Sequence, residues 1–177
     1  MSLTTSAYYV QDINIPTGSY DTLDAAITRY EPEILRHLLG YDLAALVIAY
    51  NVSTSPQIIK DIVEGKSYTE GSYTIHWNGL LNTELVSILS YYVYINYIRD
   101  NAVTFQSVGA VASKSEGGVT VTSGVLMQKA GYRLRELAGY EGQDPYYPSL
   151  YNFMAKHIDS YPTWLWNEYK PFNTFGI

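Results

Sequence analysis

The chain has 177 residues, no cysteine, three histidines and a formal net charge of −6. Those numbers exclude a disulfide framework, a thiolate metal site and a protein built to neutralise a nucleic-acid backbone. Hydrophobic residues make up 47% and charged residues only 16%, which is low for a small domain that must cover itself with solvated surface, and tyrosine fills 19 positions. Because a tyrosine ring carries one polar tip and suits surfaces buried against a partner, composition favours assembly over catalysis.

The length fits one domain, expected over 19–160, with appendages at 1–18 and 161–177. Residues 1–18 read as a polar, extended arm carrying Tyr8 and Tyr9, without the basic start and apolar run of a signal peptide. Asp21 can cap a helix over 21–29 whose apolar positions Leu23, Ala26 and Ile27 share a face. The Glu31-Pro32 step then predicts a second helix, with Ile34, Leu35, Leu38 and Leu39 as its stripe and Gly40 as its stop. Leu43, Leu46, Val47 and Tyr50 give a third helix over 41–51, and Ser55-Pro56 with Ile58, Ile59, Ile62 and Gly65 gives a fourth.

Glycines at 65, 71 and 79 with Tyr68, Tyr73 and Trp77 between them predict a β-hairpin over about 66–79 that turns near Glu70-Gly71. The stretch 80–98 is apolar, but Asn82, Thr83, Glu84, Ser87, Ser90 and Asn96 interrupt it, so it reads as a core helix over 82–101 and not a membrane span. Residues 102–122 form a second insertion, a long hairpin or extended loop. Val103 and Phe105 lie on one side of a turn region at 114–118 and Val119 to Val121 on the other. So sparse a ribbon is marginal by itself in water, which makes a neighbouring copy its expected support. Met127, Ala130, Leu134 and Leu137 define an amphipathic helix ending near Gly139, and a short helix over 149–158 precedes the tail. The fold class is therefore mainly α, a helical bundle with two β-hairpin or extended-loop insertions and extended N- and C-terminal arms. Its core is expected at Leu38, Leu39, Leu46, Leu85, Ile88, Leu89, Tyr92, Leu134 and Leu137.

Chemistry-bearing patterns are scarce. His37, His76 and His157 fall in separate elements without metal-ligand spacing, and Asp42, Asp61, Glu64 and the carboxylates of 141–144 are not tied to a common face as an acid and base would be. Neither GxGxxG nor GxxxxGK[ST] occurs, Gly117-Gly118 reads as a turn, and Ser123-Gly124 opens a helix without the GxSxG of a nucleophile elbow. No enzyme, cofactor or metal is expected. Aromatic clusters are the positive signal: Tyr91, Tyr92, Tyr94 and Tyr97 on the central helix, and Tyr161, Trp164, Trp166, Tyr169, Phe172 and Phe175 in the tail.

The run from Tyr30 through Glu31, Pro32, Glu33, Ile34, Leu35, Arg36, His37, Leu38 and Leu39 to Gly40 is one half of a longer pattern. It is followed by Gly65 with Tyr68, by Trp77-Asn78-Gly79-Leu80, and by a tyrosine-rich helix ending Arg99-Asp100-Asn101. With Leu150-Tyr151-Asn152-Phe153 and Tyr161-Pro162 before Trp164, the pattern spans most of the chain and resembles a family of small proteins from tailed phages and prophages of gut bacteria. The resemblance implies a virion structural protein of the neck, made in the host cytoplasm: a head-to-tail connector or head-completion adaptor. It would form a ring, commonly of twelve copies, below the portal, with DNA passing through unbound and no membrane involved. Contacts to neighbours and portal are then expected at Tyr8, Tyr9, Phe105, Val119, Val121, Trp164, Trp166, Tyr169, Phe172 and Phe175. The competing readings are another neck ring such as a tail terminator, and a carbohydrate-binding module using the C-terminal aromatics. Deleting the residues after Tyr161 is expected to weaken assembly and leave helical content, read by circular dichroism, largely intact; loss of the helices would instead place the tail in the domain's own core.

Overall fold

A computed structural model describes residues 2–15, 20–82, 84–101, 104–106, 109–111, 123–139 and 148–165. It is mainly helical, with the first predicted hairpin in place. Apolar residues recur every third or fourth position from Leu23 to Leu39, and the whole stretch folds as one helix, α1 (Tyr20–Leu39), burying Leu23, Ile27, Tyr30, Ile34, Leu35 and Leu38. The expected break at Glu31-Pro32 does not occur. Pro32 has no N–H to give the Thr28 carbonyl, which ordinarily costs about 3 kcal/mol inside a helix. Side chains on both sides of it are tied to the rest of the molecule, and continuous burial along the stripe outweighs the missing bond.

Gly40 turns the chain into α2 (Tyr41–Ile48), which packs on α1 through Leu43, Ala44 and Val47. Leu46, expected in the core, points outward at 53% exposure, so Leu43 and Val47 define the inner face. Next comes α3 (Gln57–Val63), which buries Ile59, Ile62 and Val63. Strands β1 (Lys66–Glu70) and β2 (Tyr73–Trp77) then pair antiparallel, with Tyr68 opposite Ile75 and Lys66 opposite Trp77. The turn falls after Glu70, as the glycine pattern predicts.

The central helix starts later than the sequence pattern suggests. Asn82 accepts from the Val86 N–H (3.0 Å) and donates to the Val86 carbonyl (2.5 Å), while Leu85 adopts a left-handed φ of 59°. That closed turn forbids helix, and α4 (Ile88–Asn101) begins only after Ser87, whose hydroxyl caps it by accepting from the Leu89 N–H at 3.2 Å. Leu85 consequently lies in the turn, only partly buried, and not in the centre of the core. Beyond α4, β3 (Thr104–Gln106) pairs with β4 (Gly109–Val111), placing Phe105 opposite Ala110. The second hairpin thus closes earlier than expected, because a short connection costs less loop entropy than one around 114–118; the turn region and Val119 to Val121 lie outside the described residues.

Helix α5 (Ser123–Ala138) packs on α4 through Ala130, Leu134 and Ala138, with Leu137 half-buried beside them. Helix α6 (Leu150–Lys156), capped by Ser149, buries Leu150, Phe153 and Met154. Four helices therefore lie in the packing order α2, α1, α4, α5, with α3 against α2 and α6 against α5.

Residues 2–15, expected as an extended arm, lie down on this stack. Tyr9, Ile13 and Ile15 are buried, and the Leu3 and Thr4 N–H groups both donate to the Glu31 carboxylate at 2.8 Å. A segment carrying three large apolar residues gains more by covering α1, α4 and α5 than by staying in water.

Where α3 meets the end of β2, the backbone runs so close that only glycine fits. At Gly79, with φ +81°, a Cβ would lie 2.5 Å from the Gly65 nitrogen and 2.6 Å from the Val63 carbonyl oxygen. The approach is fixed by Leu80 N–H donating to Ile62 O (3.1 Å) and Leu81 N–H to Val63 O (2.8 Å). Gly79→Ala should destabilise the fold by about 3 kcal/mol or more, the sum of left-handed strain and overpacking. Gly71→Ala, at φ +60° in open surroundings, should cost only ~1–2 kcal/mol. Urea denaturation of the two variants measures the difference.

Candidate functional site

The histidines stay apart. His76 lies on the exposed face of the first hairpin with its Nδ1 2.8 Å from Ser67 Oγ, while His157 sits against the rings of Tyr68 and Phe153, each 4.7 Å away between centroids. Among the described residues no group of three or more His, Asp or Glu could hold a metal ion. No described helix is long and apolar enough to cross a membrane. The buried carboxylates have structural partners: Glu31 holds the N-terminal segment, and Asp61 accepts from Lys66 Nζ and Gln57 Nε2, both at 2.7 Å. Burial pushes the Glu31 carboxyl above its ordinary value, opposed by the hydrogen bonds from Thr4 and Leu3.

Tyrosine hydroxyls, by contrast, recur in one arrangement, with the ring in the core and the hydroxyl donating to a carboxylate at its edge. Tyr91 donates to both oxygens of Asp12 (2.9 and 3.1 Å) and Tyr92 to Glu33 (2.6 Å). Tyr30 reaches Asp100 and Tyr50 reaches Glu64 in the same way. Desolvation, then the neighbouring carboxylate, pushes the Tyr50 and Tyr91 phenols up to about 12. Burial also raises Tyr9 and Tyr161. These tyrosines hold the molecule together and are not free for a partner.

The residues expected at interfaces divide accordingly. Tyr9 is 1% exposed, so it belongs to the chain's own core, and Tyr8 packs half-buried beside it. Both were expected outward because the arm carrying them was; its apolar partners on α1 and α4 hold it inward. Trp164 donates its indole N–H to the Leu38 carbonyl (3.0 Å), satisfying one of the acceptors left over at the end of α1, and Tyr161 donates to the Ile58 carbonyl (3.0 Å). The start of the tail is therefore a cis contact, and a cut after Tyr161 would remove the Trp164 bond. Phe105 lies in β3, with only its backbone pairing described. Val119, Val121, Trp166, Tyr169, Phe172 and Phe175 fall outside the described residues. Tyr151 and Trp164, with rings 5.8 Å apart, are inclined at 55° and make no coplanar platform for sugar stacking.

What sequence reasoning missed is where apolar surface remains uncovered. On α2 the solvent face carries Tyr41 (73% exposed), Ala45 and Leu46, with Asp42 the only charge. On α5 it is mixed, with Val125 and Tyr132 (52% exposed) set among the exposed Gln128 and Lys129, and Tyr132 lies under the Arg135 guanidinium at 4.7 Å. The available signal was α2 itself, eight residues with one charge and apolar on every side, a pattern that calls for cover on both faces.

Compared with known proteins, the chain matches no family model, no curated protein and no solved structure.

The titration of the buried tyrosines gives a sign that can be checked. Their phenol pKa values are raised by folding, so the stabilisation is fully present below about pH 10 and is lost as pH rises through about 12. Phenolate absorbance should therefore show a late, steep step that coincides with loss of helical circular dichroism. A single gradual titration with the helices intact would contradict these assignments.

Proposed function

We propose that this chain is a structural component of the phage virion, a head-to-tail connector that forms an oligomeric ring, of about twelve copies by family resemblance, below the portal. The observation that supports the reading is that α2 and α5 expose unlike surfaces, Tyr41, Ala45 and Leu46 on α2 against Val125 and Tyr132 among Gln128 and Lys129 on α5. A ring of identical head-to-tail contacts requires two unlike surfaces on every copy, each complementary to the other. Exposed tyrosine is a residue that such contacts favour. The α2 end, where the described chain leaves at Leu165, would supply one surface together with the tail aromatics; the α5 end would supply the other.

The motifs that resemble the phage family lie in the parts that build this stack: Tyr30 to Gly40 in the C-terminal half of α1, Trp77 to Leu80 at the close approach behind α3, and the end of α4. A net charge of −6 suits a channel through which DNA slides, because like charge on its wall discourages sticking. Nothing in the described residues favours the sugar-binding alternative, since the Trp164 indole N–H is already spent on Leu38.

The test is assembly with a cognate portal, followed by sedimentation or single-particle mass. The wild-type chain should join the portal as a multi-copy ring. Val125→Glu and Tyr132→Glu, both at solvent-exposed positions on α5, should fold normally and assemble at least about thirtyfold more weakly, the size of a 2 kcal/mol hot-spot loss. Failure of the wild-type chain to join the portal under any condition, or unimpaired assembly by both variants, would overturn the reading.

A further inference from the structure

Helix α2 has an apolar face on each side, and the structure covers one. Leu43, Ala44 and Val47 face α1, while Tyr41, Ala45, Leu46 and Ala49 lie on the opposite, exposed arc beside Asp42. The described chain ends against this arc. Trp164 is bonded to Leu38, and Leu165 packs so tightly at Gly40 that a Cβ there would meet the Leu165 Cβ at 3.2 Å and its nitrogen at 3.4 Å. Leu165, itself 65% exposed, thus delivers the chain to the first turn of α2.

We propose that the outer face of α2 is the seat of the chain's own residues 166–177. Three observations fix this occupant. The first is reach: residues 166–177 can span up to ~40 Å, whereas α2 is only ~12 Å long. The second is composition. Trp166, Tyr169, Phe172 and Phe175 recur at every third position, with Pro171 among them; an extended chain of three residues per turn carries that spacing on one side. The third is continuity, for Leu165 already packs at Gly40, directly before α2. Because Leu165 is already anchored, the segment meets α2 at an effective concentration of about millimolar, far above that of a second copy in dilute solution.

The absence of cysteine makes the test direct. In the full-length chain, Leu46→Cys is combined with Asn173→Cys and oxidised; Ala45→Cys with Asn173→Cys serves as a second pair should the first perturb folding, which circular dichroism monitors. Both helix positions are exposed, so the substitutions remove no core contact. Val125→Cys on α5 with Asn173→Cys is the control. The expected result is an intramolecular disulfide in a monomer, unchanged in yield on dilution and roughly a hundredfold in excess of intermolecular product at micromolar protein. Equal cross-linking in the α5 control, or no cross-link with either α2 pair, would overturn the proposal. So would a disulfide-linked dimer as the main product, which would make a second copy the occupant. Seated there, the segment and α2 would together form the ring surface assigned to the α2 end, and because the cross-link readout needs no portal its failure is distinguishable from failure of assembly.

Discussion

The rest of the fold is arranged around one constraint: α4 is buried on almost every side, and four of its residues are tyrosines. Tyr91, Tyr92, Tyr94 and Tyr97 all lie within the core, yet each brings a hydroxyl that must keep a hydrogen bond when water is removed. For Tyr91, Tyr92 and Tyr97 the structure meets that need by bringing partners from distant parts of the chain. Asp12 comes from the N-terminal segment, Glu33 from α1, and Thr22 of α1 stands 3.3 Å from the Tyr97 hydroxyl. In the opposite direction, Tyr30 of α1 donates to Asp100 at the end of α4, and its ring meets Tyr92 edge to face at 6.4 Å. Each bond fixes a position along the helix as well as adding energy, so α1 and the N-terminal segment are held in one register against α4.

The abundance of tyrosine therefore has two explanations. Inside, the residue supplies ring area to the core, with its hydroxyl reaching the edge where carboxylates remain partly hydrated. Outside, Tyr41, Tyr73, Tyr132 and Tyr151 keep much of their surface exposed. Only the second group can meet a partner. The exposed residues of α2 and α5 differ in kind, aliphatic beside tyrosine on one and mixed with Gln128 and Lys129 on the other, which is the physical basis of the proposal that the chain is a repeating unit of an assembly.

Local chemistry was the legible part of the sequence. The hairpin at Glu70-Gly71, the stop at Gly40, the amphipathic pattern of α5 and the short helix after Ser149 all depend on residues within a few positions of one another. The misreadings came where a distant contact decided the outcome. Pro32 looks like a boundary until Glu31 and Glu33 are seen holding Leu3, Thr4 and Tyr92. Asn82 looks like a helix start until its side chain closes on Val86. Leu46 and Val47 are equivalent by spacing, and only the position of α1 decides that Val47 is inside. Tyr9 looked like a reaching contact because nothing in its neighbourhood of sequence reveals Ile13, Ile15 and α1 closing around it.

The claim that tyrosine–carboxylate bonds set the helix register is tested most directly by a double-mutant cycle on Tyr92→Phe and Glu33→Gln, with stability measured by urea denaturation. The account predicts a coupling of about 1.5 kcal/mol, the range of a hydrogen bond to a charged group. Effects that add to within ~0.3 kcal/mol would mean the two side chains do not act together, and would contradict it.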